Sequence, residues 1–127
     1  MRPATAADLA ASNDLCLRLH GHHRSGELHD AIKQGSATVV ERGGRLTGYA
    51  TAVAFFGHAV GETNDDIKAL IAAAPVFLGP GFLVPTRNGE LMRWCLANGL
   101  RLVHQLTLMT VGVYNDPRGA YLPSIAF

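Results

Sequence analysis

The chain carries almost no excess charge of either sign. Lys and Arg number 11, Asp and Glu number 10, and the formal net charge is +1. A nucleic-acid binder needs a basic stripe or patch, so the composition offers no footprint for DNA or RNA. Long apolar runs are missing too, and none approaches the ~20 residues needed to cross a bilayer. The N-terminus lacks the basic and apolar regions of a secretory signal. A cytoplasmic location is therefore the default expectation. Cysteine is scarce: Cys16 and Cys95 are the only two. Both fall on apolar helical stripes and read as reduced core residues rather than as a disulfide. Internal repeats and low-complexity tracts are absent.

What is present is a large apolar fraction. Of 127 residues, 48% are hydrophobic and only 17% charged. This length predicts one domain spanning 1–127, burying roughly two-thirds of its unfolded surface. So few charges also leave apolar surface to cover. The expectation is a chain that does not work as an isolated monomer.

Local signals lay out the elements. Arg2-Pro3 is a very short strand. Thr5 with Asp8 resembles a capping box, so a helix should run from there to about His20, burying Leu9, Leu15, Cys16 and Leu19. Gly21 breaks it. Ser25 is placed to cap a second helix, which runs to Gln34 and stops at Gly35. Ser36–Arg42 and Arg45–Phe56 read as a hairpin around Gly43-Gly44, with Gly48 as a bulge or close-approach point. Asp65 and Asp66 suit the start of a helix carrying Ile67, Leu70 and Ile71. Gly81–Val84 reads as a buried strand after the Gly79-Pro80-Gly81 interruption.

The stretch from Val84 to Met109 organises the second half. Thr86 or Asn88 caps a helix whose apolar stripe is Leu91, Trp94 and Cys95, widened by Met92 and Leu96. Trp94 reads as core. Gly99 stops the helix, and Leu100–Met109 reads as a strand continuing through Thr110–Tyr114. Asn115-Asp116-Pro117-Arg118-Gly119 is a turn. Ala120–Phe127 is a last strand that Pro123 confines to an edge or bulge.

Two places carry candidate chemistry. His20, His22, His23, Arg24 and Glu27 cluster between the first two helices. They read as a polar connection or as metal ligands. The metal reading suffers because adjacent His22 and His23 diverge on most backbones, so no metal is expected. Glu62 lies just before the Asp65-Asp66 helix start. It reads as a surface or capping carboxylate. His58 reads as a loop residue.

These pieces resemble the GNAT superfamily of N-acetyltransferases. The late helix of that family often reads N-x-x-A-x-x-x-Y-x-x-x-G-F. Here Asn88 and Gly99-Leu100 match, while Leu91 and Cys95 stand at the Ala and Tyr places. Arg2-Pro3-Ala4-Thr5, Pro85-Thr86-Arg87-Asn88-Gly89-Glu90-Leu91 and Gly119-Ala120-Tyr121-Leu122-Pro123-Ser124 resemble the C-terminal half of bacterial two-domain GNAT proteins. The resemblance implies an α+β fold (α/β in some schemes), with a mixed, mostly antiparallel sheet and helices on both faces. It implies acetyl-CoA as cofactor and a small-molecule amine as acceptor. It makes Glu62 the catalytic candidate, and His20, His22, Arg24, Glu27, Arg87 and Asn88 the substrate-binding candidates. It implies a homodimer or an adjacent GNAT domain as partner.

One departure redirects the functional expectation. The family holds the CoA pyrophosphate on a glycine-rich loop that opens the helix after the fourth strand. This chain has no glycine between Gly61 and Ile67, and it places Glu62, Asp65 and Asp66 there. Like charge at that position opposes phosphate, at about 1 kcal/mol or more per close pair. The expected function is therefore a GNAT-related lobe that shapes a substrate cleft or interface for a catalytic partner. An active acetyltransferase with Glu62 as base, and a small-ligand sensor, are the alternatives.

Overall fold

The computed structural model of the chain describes residues 1–21, 24–109, 111–112 and 117–125. In chain order the elements are β1 (Arg2–Pro3), α1 (Leu9–His20), α2 (Ser25–Gln34), β2 (Thr38–Arg42), β3 (Arg45–Ala50), β4 (Ala59–Gly61), α3 (Asn64–Ala73), α4 (Gly89–Ala97) and β5 (Ala120–Leu122). The strands form one sheet in the order β1-β2-β3-β4-β5, and every described pairing is antiparallel. This is the expected α+β architecture.

Strand alternation sorts the core into two layers. Val39, Tyr49 and Val60 are cross-strand neighbours and pack under α1 and α2 with Leu15, Cys16, Leu28 and Ala31. Val40, Ala50, Ala59 and Leu122 face the other way, against Ile67, Leu70 and Ile71 of α3 and Leu91 and Cys95 of α4. Each large apolar side chain buried in this way contributes about 1.5–3 kcal/mol. Cys16 and Cys95 are both free and belong to opposite layers, so the sheet keeps them apart.

The local signals act as read. Asp8 accepts the Thr5 amide at 2.7 Å, closing the capping box of a 3-10 turn that leads into α1. The helices α1 and α2 end at Gly21 and Gly35. Gly43 and Gly44 both take positive φ, 60° and 76°, as a primed hairpin turn requires. The β2–β3 register slips after the Val40–Gly48 pair, so Thr47 is the extra residue of a bulge.

Other expectations are corrected. Arg24, not Ser25, occupies the cap of α2, and it makes no capping side-chain bond. The return strand stops at Ala50, and residues 53–56 bend, leaving Phe56 exposed. Residues 81–84 form no strand. Gly79 and Gly81 sit at φ 70° and 122° around Pro80, and Phe82 and Val84 instead pack singly onto the α3–α4 layer. Trp94 is half-buried at the margin of that layer rather than in its centre, and Leu96 is exposed. Residues 100–109 form no strand either, and no strand among the described residues meets them. Thr110, Val113, Tyr114, Asn115 and Asp116 of the expected strand and turn lie outside the described residues. So do Ala126 and Phe127 of the last strand, which is described as Ala120–Leu122.

Candidate functional site

The end of β4 and the starts of α3 and α4 enclose a cleft of about 380 Å³. It is lined by Glu62, Thr63, Asn64, Pro85, Arg87 and Asn88, and closed by the β5 segment from Gly119 to Tyr121. Three predicted site residues therefore meet: Glu62, Arg87 and Asn88.

Glu62 is held fast. Arg45 bonds both carboxylate oxygens, with Nη2 to Oε2 at 3.0 Å, and Arg18 Nη2 reaches Oε1 at 2.9 Å. Arg45 first, and Arg18 second, hold the Glu62 carboxyl below the usual carboxylate range. A carboxylate so placed is a weak proton acceptor. Its stronger contribution is to fix two guanidinium groups beside the cleft mouth.

Asn88 is also engaged. Its side chain caps α4 by accepting the Leu91 amide at 3.3 Å. It also exchanges two amide bonds with Asn64: Asn64 Nδ2 donates to Asn88 Oδ1 at 3.0 Å, and Asn88 Nδ2 donates to Asn64 Oδ1 at 2.7 Å. Asn64 further reaches Glu90 at 3.1 Å, and Lys68 bonds Glu90 at 2.9 Å. These bonds join the first turns of α3 and α4.

Arg87 is exposed and sits on the opposite lip. Its Nη2 donates to the Pro117 carbonyl at 3.2 Å, and its guanidinium carbon lies 5.9 Å from the centroid of Tyr121. The Tyr121 ring meets His20 edge-on at 5.3 Å. His20 thus stands behind the cleft wall. Tyr121, like Asn64, is a lining residue absent from the candidates read in the sequence. Its signal was alternation: flanked by buried Ala120 and Leu122, it must face the other side of the strand.

Arg24 and Glu27 line no part of this cleft. Arg24 Nε lies 3.7 Å from Glu27 Oε1, and Glu27 Oε2 lies 3.1 Å from Nδ1 of His58. His58 is no loop filler: it is buried at 1% exposure, with Nε2 2.9 Å from the Tyr49 hydroxyl. Burial also pushes the Tyr49 phenol and the Cys16 thiol up from their ordinary values. His22 and His23 lie outside the described residues. Among the described residues no group of three or more His, Cys, Asp or Glu is arranged to hold a metal ion, and no helix is long and apolar enough to cross a membrane.

The start of α3, beside the cleft, is occupied by the chain's own carboxylate. Thr63 and Asp66 form a capping box. Asp66 Oδ2 accepts the Thr63 amide at 3.1 Å and its hydroxyl at 3.3 Å. Oδ1 accepts from the Thr47 hydroxyl and from Arg42 Nε, each at 2.8 Å. Asp66 is only 1% exposed. Two facing glycines permit that depth: a Cβ on Gly48 would lie 3.1 Å, and one on Gly61 2.9 Å, from the Asp66 Cβ.

No family model matches the chain, and no curated protein matches it in sequence. In fold it is similar to the crystal structure of TTHA1254, a point mutant of a protein from Thermus thermophilus. The TM-score is 0.62 at 17% identity, covering 90% of this chain and 98% of that one. At this identity the likeness speaks for the fold alone.

Proposed function

We propose that the chain is a GNAT-like lobe that does not hold acetyl-CoA in the usual way. It contributes the wall of a small-molecule cleft to a catalytic partner. The observation that carries this reading is Asp66. Where the resemblance puts a phosphate-binding helix start, a buried carboxylate accepts the Thr63 amide and hydroxyl. An incoming pyrophosphate would have to displace that carboxylate from four hydrogen bonds and then tolerate its charge. The cleft beside it has polar walls and three guanidinium groups at its margin, from Arg18, Arg45 and Arg87. Glu62, restrained by two of them, serves as an anchor for those cations rather than as the base of an acetyl transfer.

Calorimetry and thermal denaturation with acetyl-CoA test the reading. The expected result is no binding heat and an unchanged melting temperature at millimolar cofactor. A ligand present at about a hundred times its dissociation constant stabilises a fold by roughly 2.7 kcal/mol. A shift of that size, removed by competing pyrophosphate, overturns the reading and restores the acetyltransferase with Glu62 as base. Release of CoA thiol in the presence of a primary amine would do the same.

A further inference from the structure

Asparagine followed by glycine occurs twice in the chain, as Asn88-Gly89 and Asn98-Gly99, at the two ends of α4. Such a pair has a chemistry of its own. The glycine amide nitrogen attacks the asparagine Cγ, the Cγ–Nδ2 bond breaks, and ammonia leaves a five-membered imide behind. Water then opens the imide to aspartate or isoaspartate. No enzyme, metal or oxidant is needed. The backbone must fold back on the side chain, which glycine permits because it has no Cβ. The side-chain amide must also be able to turn.

The fold treats the two pairs differently. Asn88 is half-buried, and both ends of its amide are engaged. Oδ1 accepts from Asn64 Nδ2 at 3.0 Å and from the Leu91 amide at 3.3 Å, and Nδ2 donates to Asn64 Oδ1 at 2.7 Å. Gly89 is the first residue of α4 and lies under the Arg93 guanidinium, since a Cβ there would come 3.1 Å from Nη1. Asn98 is exposed and stands just past the last helical residue, Ala97. Among the described residues its side chain makes one hydrogen bond, from Nδ2 to the Trp94 carbonyl at 2.8 Å. Gly99 takes a φ of 87°, and a Cβ on it would meet nothing within 4 Å. Its amide bonds the Leu96 carbonyl at 3.3 Å.

We infer that Asn98 is a site of spontaneous deamidation, and that the amide pair with Asn64 shields Asn88 from the same reaction. At Asn98 the imide forms once one side-chain bond and one long backbone bond open, at a helix end. At Asn88 three side-chain bonds must open, and the starts of α3 and α4 must part. The product matters to α4. A carboxylate at 98 stands at the negative end of the helix, where it is disfavoured. It cannot donate to the Trp94 carbonyl. Isoaspartate also adds a backbone carbon between Cys95 and Leu100, whose amide closes on the Cys95 carbonyl at 3.1 Å. The end of α4, with half-buried Leu100 behind it, therefore loosens as the protein ages. The inference is independent of the cleft and of cofactor binding.

Trypsin separates the two sites, because cleavage after Arg87, Arg93 and Arg101 puts them on different peptides, 88–93 and 94–101. The folded chain is kept in mildly alkaline buffer at body temperature, sampled over weeks and digested, and mass spectrometry follows the change of amide to acid in each peptide. Asn98 should convert at least about tenfold faster than Asn88, whose bonds to Asn64 must break first. In denaturant the two rates should become similar. Asn64→Ala should raise the rate at Asn88 severalfold and leave that at Asn98 unchanged. If that variant does not fold, the wild-type comparison between buffer and denaturant decides alone. Equal rates in the folded chain overturn the shielding of Asn88. A folded chain that stays intact at Asn98, while the denatured chain converts there, overturns the assignment of Asn98. Asn98→Asp installs the product's charge and should melt below the wild type, and an unchanged melting temperature overturns the consequence drawn for α4.

Discussion

Leu91 on α4 and Leu106 in the stretch after it are the same residue in opposite circumstances. Leu91 is fully buried against the sheet, while Leu106 is 58% exposed. The helix that carries Leu91 is built from its own residues: the Asn88 side chain bonds the Leu91 amide, and Leu91 and Cys95 share one face. The stretch that carries Leu106 has strand-forming residues and, among the described residues, no strand beside it. A helix closes its hydrogen bonds internally, whereas a strand becomes one only when another strand answers its amides. One region therefore completes itself, and the other has no paired strand among the described residues.

Four measurements press on that contrast. Leu91→Ala should destabilise the fold by about 2–5 kcal/mol in denaturant unfolding, the range for a buried leucine that leaves a cavity. A loss under 1 kcal/mol would mean that the α3–α4 layer is loosely packed and the contrast is blunted. Asp66→Ala should follow, at about 1–3 kcal/mol, because the Thr47 hydroxyl and the Thr63 amide lose their acceptor in a buried place. Amide exchange should show the first turn of α3 opening before the rest. A neutral Asp66→Ala would mean that the capping box merely decorates that turn.

Acid should act more gently. Arg2 holds the Asp8 carboxyl, and Arg45 with Arg18 holds the Glu62 carboxyl, below their ordinary ranges. A depressed carboxylate contributes stability that is complete above its unfolded value of about 4 and is lost as pH falls through the folded one. Thermal stability should be flat from neutrality to about pH 5 and decline below it, less steeply in Asp8→Asn. A decline that is the same in that variant would assign the acid sensitivity elsewhere. The smallest effect belongs to Leu106→Ala, within about 0.5 kcal/mol in dilute solution, as for surface positions generally. A larger loss at low concentration would place residues 101–109 inside the monomer's own core.

The same contrast explains what the sequence disclosed. Thr5 with Asp8, Gly21, Gly35, Gly43-Gly44 and Asn88 act within a turn or two of chain, and each does in the structure what its chemistry suggests. Leu100–Met109 and Gly81–Val84 were read as strands from composition, but pairing is a non-local condition that no short window contains. The cleft was half legible. Glu62, Arg87 and Asn88 converge there because β4 and the two helix starts meet. Tyr121 joins them from the far end of the chain, and Arg24 with Glu27 turns instead to buried His58. The bonds that occupy Glu62 and Asn88 come from Arg18, Arg45 and Asn64, partners far away in sequence. The family resemblance marked Glu62 as a base and Asn88 as a ligand contact, and only the fold shows how they are occupied.

The reciprocal Asn64–Asn88 amide pair makes the first turns of α3 and α4 a single mechanical unit. Two of the three walls of the cleft cannot part without breaking both amide bonds, together with the Asn64 and Lys68 contacts to Glu90. The third wall, from Gly119 to Tyr121, is tied by the Arg118 amide to the Leu19 carbonyl at the end of α1. That wall is also paired into the sheet, Ala120 with Gly61 and Tyr121 with Val60, so a guest finds all three walls fixed in advance. Through the Tyr121–His20 ring contact and the Arg118–Leu19 bond, the far side of the cleft and the last turn of the first helix are one piece of the fold.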